Sequence, residues 1–161
     1  MFLRILGIAG AVALMSLAAG AQTPPSSAEH ETPKNYVPGL EQFMEVIQNE
    51  HAKLWYAGQA RNWKLAAYQL GEIKEVMSDV QDLVPTFKNL PLAQMLDSVI
   101  TGPIAQLEKS LDAKDFGKFS AGYRDLTHAC NSCHQAAGVD FIRIRQPIGS
   151  AFPNQNFAPQ R

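Results

Sequence analysis

The sequence predicts an all-α fold, an antiparallel up-down-up-down four-helix bundle, and three observations carry that expectation. Four stretches of the chain return an apolar residue at alternating steps of three and four. Their steps average about 3.5 residues, which keeps each stripe on one helix face, as left-handed bundle packing requires. Helix starts and stops punctuate the stretches, and neither a strand pair nor an internal repeat is visible.

The first 21 of the 161 residues stand apart. Arg4 is the only charge before Glu29, Ile5 to Ala18 is apolar apart from Ser16, and Ala19-Gly20-Ala21 offers small residues for cleavage. That is the layout of a Sec-type secretory signal peptide over 1–21. A membrane anchor is the competing reading, but the run is shorter than the roughly 20 residues that span a bilayer. The expected location is therefore the periplasm, with no stable membrane insertion once the signal is removed. Cleavage after Ala21 takes Arg4 with it and moves the formal charge from −1 to −2. A chain of that charge, without a basic stripe, predicts no nucleic-acid partner. Residues 22–38, rich in Pro, Ser, Thr and Glu, read as a flexible leader.

The bundle domain is expected over 39–138. Its first helix carries Leu40, Met44, Ile47, His51, Leu54 and Gly58 on one stripe, flanked by Phe43 and Trp55. The second runs from Trp63 through Leu70 and Met77 to Val84, with Asn62 as N-cap and Pro85 as its stop. The third, from Leu92 to Leu111, is less regular, and Gly102-Pro103 predicts a kink or short break. The fourth runs Phe116, Phe119, Tyr123, Leu126, Cys130, Cys133 and Ala137, with Asp112 expected as cap and Gly138 as stop. A C-terminal tail, 139–161, is expected to pack on the bundle; Phe141 to Arg145 is β-prone but has no partner strand. Trp55, Tyr56 and Trp63 are expected to close the end of the bundle at the first turn, and His128 to be exposed. Met77 and Met95 read as core fillers.

The chemistry lies in Cys130-Asn131-Ser132-Cys133-His134. The only two cysteines stand within four residues of each other, too close to be a disulfide framework. On a helix, positions i, i+3 and i+4 share a face. Two thiols so placed can each add to one vinyl group of a haem, and the next imidazole then reaches the iron, so the pentapeptide reads as a covalent haem c attachment site. Three other readings stand beside it. A thioredoxin-like pair needs a helix N-terminus to acidify the first thiol, whereas this pair lies late in a helix. A structural zinc site needs a fourth ligand, such as His51 or His128. An accidental match is the third. The export signal favours haem, because attachment to such a motif occurs outside the cytoplasm.

A CxxCH near the end of a four-helix domain resembles the class II c-type cytochromes, the cytochrome c prime group, over roughly Gly39 to Gly138. The resemblance implies one covalent haem on Cys130 and Cys133, with His134 as the proximal axial ligand. It also implies one of two distal arrangements. Some members leave that side open or apolar and bind small gases; others place a methionine there from the first helix and carry electrons. Family bundles often dimerise, so a homodimer is an expectation alongside redox partner proteins. The tail departs from the usual family ending. It could cover a haem edge, with Arg143 or Arg145 on a propionate, or both arginines could simply be solvated.

The distal ligand follows from helix geometry. An antiparallel first helix brings its start beside the end of the fourth, and Met44 and His134 then fall at similar height. Met44 is the expected distal ligand, and its thioether needs no charge compensation in an apolar pocket. His51, one heptad on, is the alternative, either as a second histidine on iron or as a hydrogen-bonded core residue. No acid–base pair or nucleophile accompanies the motif, so the expected function is periplasmic electron transfer by six-coordinate low-spin iron, not enzymatic. A five-coordinate gas-binding or sensing protein is the alternative.

Overall fold

The computed structural model describes residues 36–149 and 152–160, which belong to one compact unit. The expected export signal over 1–21 and most of the expected leader lie outside the described residues. Four helices pack against one another: α1 (Leu40–Gln59), α2 (Trp63–Leu83), α3 (Leu92–Asp112) and α4 (Phe116–Ala136). Among the described residues there is no strand, only an isolated bridge between Phe87 and Leu90 in the α2–α3 connection.

Local chemistry sets each boundary. The Gly39 N–H donates to Gln42 Oε1 (2.9 Å), which satisfies a donor that the first turn of α1 leaves unpaired. Asn62 accepts from the Leu65 N–H (3.2 Å) and caps α2 as expected. Lys88 and Asn89, both at positive φ, turn the chain into α3. Two expectations need correction here. The cap of α4 is Asp115, whose Oδ1 accepts from the Lys118 N–H (3.1 Å); Asp112 instead closes α3. A carboxylate must sit directly before the first turn to reach those donors, and Asp112 is three residues too early. The expected break at Gly102-Pro103 is also absent, because α3 runs through Pro103. Leu96, Ile100, Ile104 and Leu107 are all buried, so packing on both sides of the proline holds the helix together.

The core lies between the helices, where Leu54, Ile73, Val80, Leu107, Phe119 and Tyr123 are fully buried. Phe43 and Trp55, which only flank the α1 stripe in sequence, are buried too, because α1 packs against both α2 and α4 and needs a wider apolar face. Across the α1–α4 seam, Trp55 stacks on Phe119 and tilts onto Tyr123, and His51 meets Tyr123. The Phe119 ring lies directly against Gly58: a Cβ there would stand 2.1 Å from Phe119 Cε1. Of the packed helix pairs, α1 and α4 touch least. No described helix is long and apolar enough to cross a membrane.

The described part of the tail lies on this bundle as irregular chain, and the β-prone run Phe141 to Arg145 forms no strand, in keeping with its lack of a partner. Tyr56 donates its hydroxyl to the Gly149 carbonyl and packs against the rings of Phe152 and Phe157. Asn62 Nδ2 donates to the carbonyls of Phe157 and Ala158 (both 3.2 Å). The residue that caps α2 thus also anchors the end of the tail.

Candidate functional site

The last turns of α4 bring Cys130, Cys133 and His134 onto one wall of a cavity of about 400 Å³. Met44 and His51 of α1 line the same cavity, and Met77, Leu96 and Ile100 add apolar surface from α2 and α3. The tail adds Val139, Ile142 and Ile144 to its lining. The sequence-predicted residues therefore gather in one place. Met77 is buried and faces this space as well as the core; Met95 does not line it. His128 is exposed, as are Arg143 and Arg145. A larger, open groove of about 890 Å³ lies by the α1–α2 turn among Arg61, Lys64, Trp63 and Lys114, and holds none of the motif residues.

Both cysteines are free, Cys133 buried and Cys130 half-buried. Burial, and then the neighbouring Cys133, push the Cys130 thiol up to about 11; burial raises Cys133 as well. Both are neutral S–H groups near neutral pH. Among the described residues no cluster of three or more His, Cys, Asp or Glu is arranged to hold a metal ion by itself.

His134 has a fixed tautomer. Its Nδ1 lies 2.8 Å from the Ile142 carbonyl oxygen. A carbonyl only accepts, so Nδ1 carries a proton, and in the neutral ring the lone pair is on Nε2. The local sequence explains how a backbone oxygen comes to be there. Gly138 takes a φ of +68°, its N–H donates to Gln135 O (3.1 Å), and the Val139 N–H donates to His134 O (2.9 Å). This pair of bonds is a Schellman motif, and its left-handed residue favours glycine. It reverses the chain over the end of α4. Asn131 then holds the returning segment: its Nδ2 donates to Ile144 O and its Oδ1 accepts from Ile144 N–H, both at 2.8 Å. A side-chain amide thus takes the place of the missing partner strand.

His51 is buried with both ring nitrogens engaged. Thr127 Oγ1 donates its one proton to Tyr123 O (2.8 Å), so it must accept from His51 Nε2–H (2.9 Å). His51 Nδ1 then faces the Tyr123 hydroxyl (2.9 Å), whose single proton is shared between that nitrogen and the His51 carbonyl (3.0 Å). Burial lowers the His51 pKa to about 4, so the ring is neutral. In this tautomer its one lone pair already faces Tyr123.

Sequence reasoning missed Asn131 and the Ile142 carbonyl. Asn131 reads as filler between two cysteines, and a backbone oxygen has no side-chain signature. Gly138 was the one visible sign that the chain turns back on α4. Neither a protein-family model, nor a curated protein, nor a solved structure matches the chain.

Proposed function

We propose that this chain is a mono-haem c-type cytochrome of the class II, cytochrome c prime-like kind, exported to the periplasm and working there in electron transfer. One observation carries the reading: two neutral thiols and an imidazole of fixed tautomer share a wall of one largely apolar cavity between helices. The residues fit a haem. The cavity, at about 400 Å³, falls within the roughly 300–1,000 Å³ of cofactor sites. Cys130 and Cys133 would hold the porphyrin by thioether links. His134 would offer Nε2 to the iron, with its Nδ1–H held by a carbonyl, as metal-bound histidines are usually held. When bound, the haem supplies a centre that takes up and gives back one electron.

The chain's own residues account for the rest of the proposal. Met44 is the distal ligand we favour, because it lines the cavity and its sulfur needs no proton or charge partner. His51 fits the core role better, since ligation would require it to leave Tyr123. The apolar walls limit water around the group, and a bundle rigidly packed at the Gly58–Phe119 end keeps ligand movement small. The order of contacts along the α1–α4 seam supports the antiparallel, up-down-up-down arrangement: Trp55 meets Phe119, and His51 meets Tyr123 and Thr127. Partners would be redox proteins, with a homodimer as the family-like assembly. The competing motif readings are weaker. A thiol exchanger needs an accessible thiolate, and burial raises both thiols. A zinc site needs a donor cluster that the described residues do not form.

The test is expression with export in a host competent for cytochrome maturation. Mass spectrometry should show one haem's added mass, with Cys130 and Cys133 closed to alkylation. Unmodified mass with two alkylatable sulfurs refutes the reading. A low-spin spectrum unmoved by carbon monoxide, lost in Met44→Ala, supports electron transfer through a Met-ligated iron. Rapid carbon monoxide binding by the unaltered protein would assign the five-coordinate, gas-binding alternative instead.

A further inference from the structure

The tail meets α4 through two backbone carbonyls two residues apart. Ile142 O takes the His134 Nδ1–H, and Ile144 O takes an Asn131 Nδ2–H. The Ile142 N–H closes a turn on Val139 O (2.9 Å), so the two carbonyls lie where the returning chain leaves that turn. Asn131 and His134, three apart on a helix, lie on neighbouring positions of one face. The returning segment therefore docks along α4 through both residues.

The two contacts are unequal. Asn131 exchanges both an N–H and a C=O with Ile144, which fixes the register of the segment as a strand pair would. Its second amide proton goes to Thr127 O (3.0 Å), so the amide cannot flip without losing bonds. The His134 contact is single and half-exposed, and water could replace the carbonyl there.

We propose that Asn131 is a positioning residue: by clamping Ile144 it holds the Ile142 carbonyl on His134 and so fixes the tautomer and direction of that ring. The consequence for the iron rests on the haem reading above; the consequence for the imidazole does not. A hydrogen-bonded Nδ1–H makes the ring more electron-rich at Nε2, which favours the oxidised metal and lowers the reduction potential. Asn131 would thereby set the working potential of a site it does not touch.

The experiment compares the full chain with Asn131→Ala and Asn131→Asp, each with and without haem. In haem-free protein, nitrogen-15 NMR of His134 should report the Nδ1–H tautomer in the unaltered chain. Asn131→Ala should shift it toward the Nε2–H form that free imidazole prefers. In haem-loaded protein the midpoint potential should rise in Asn131→Ala. Asn131→Asp, which keeps the acceptor for Ile144 N–H but loses the donor, should fall between the two in tautomer; its added charge lowers the midpoint by itself, so it is compared on the NMR readout alone. An unchanged tautomer in Asn131→Ala overturns the proposal, and so does an unchanged midpoint in protein shown to carry haem. If the chain takes up no haem, the functional reading fails, and the haem-free NMR still decides the role of Asn131.

Discussion

His51 shows most directly what one buried side chain does to the whole. Its pKa is lowered from 6.5 to about 4 by burial, so the folded chain resists a proton that the unfolded chain accepts. Between those values the unfolded state binds more protons, and stability must rise with pH across that window and fall as pH drops through it. The full shift corresponds to about 3 kcal/mol. Urea unfolding at pH 7 and pH 4.5 should show most of that loss, and His51→Gln should flatten the dependence. The sequence placed His51 on a core stripe and offered two roles for it. Only the fold chooses its partners, because Tyr123 and Thr127 stand on another helix more than seventy residues away. Met44 was legible for the opposite reason: its position depends on helix rise alone.

At the scale of the element, periodicity carried nearly everything and capping chemistry carried the boundaries. Asn62 and Gly138 do what their residue types dictate. The misassigned Asp112 shows the limit of that logic, since two acidic residues three apart compete for one cap and only backbone geometry decides. Gly58 carries a sharper lesson. It sits on the apolar stripe as a residue without a side chain, and its meaning appears only against Phe119. Gly58→Ala should gain up to about 1 kcal/mol of helix propensity. It must also push a fully buried ring aside, at a cost of roughly 1–3 kcal/mol. The expected result is a net loss, read as a lower melting temperature, which Phe119→Leu partly restores in the double variant. Additive effects of the two changes would mean that the close approach is not where the strain falls.

Over the whole molecule, the division between legible and illegible follows sequence distance. Four helices, their order and the cluster of Met44, Cys130, Cys133 and His134 on one cavity could be read in advance, because each rests on local spacing plus short connections. The tail could not. Its hold on α4 at one place and on Tyr56 and Asn62 at another depends on backbone carbonyls of Ile142, Ile144, Gly149 and Phe157. Composition says nothing about carbonyls. Filling the cavity should matter at this scale as well. A porphyrin buries more apolar surface than any one side chain, each of which contributes about 1.5–3 kcal/mol. Haem-loaded protein should therefore unfold at clearly higher urea than the Cys130→Ser/Cys133→Ser variant. Equal midpoints would mean that the group, if attached, is not seated between the helices.

Pro103 has a consequence for the wall facing the motif. It has no N–H, so the Val99 carbonyl lacks its usual helical donor. Just before it, the Thr101 hydroxyl donates to Asp97 O (2.7 Å) and the Ser98 hydroxyl to Met95 O (2.8 Å), contacts that favour bending. Val99 and Ile100 line the cavity at this weak rung. That rung is where α3 can yield while its buried face stays packed, whereas α1 has no proline within Leu40–Gln59. Amide exchange should be faster at residues 99–104 than along the rest of that helix.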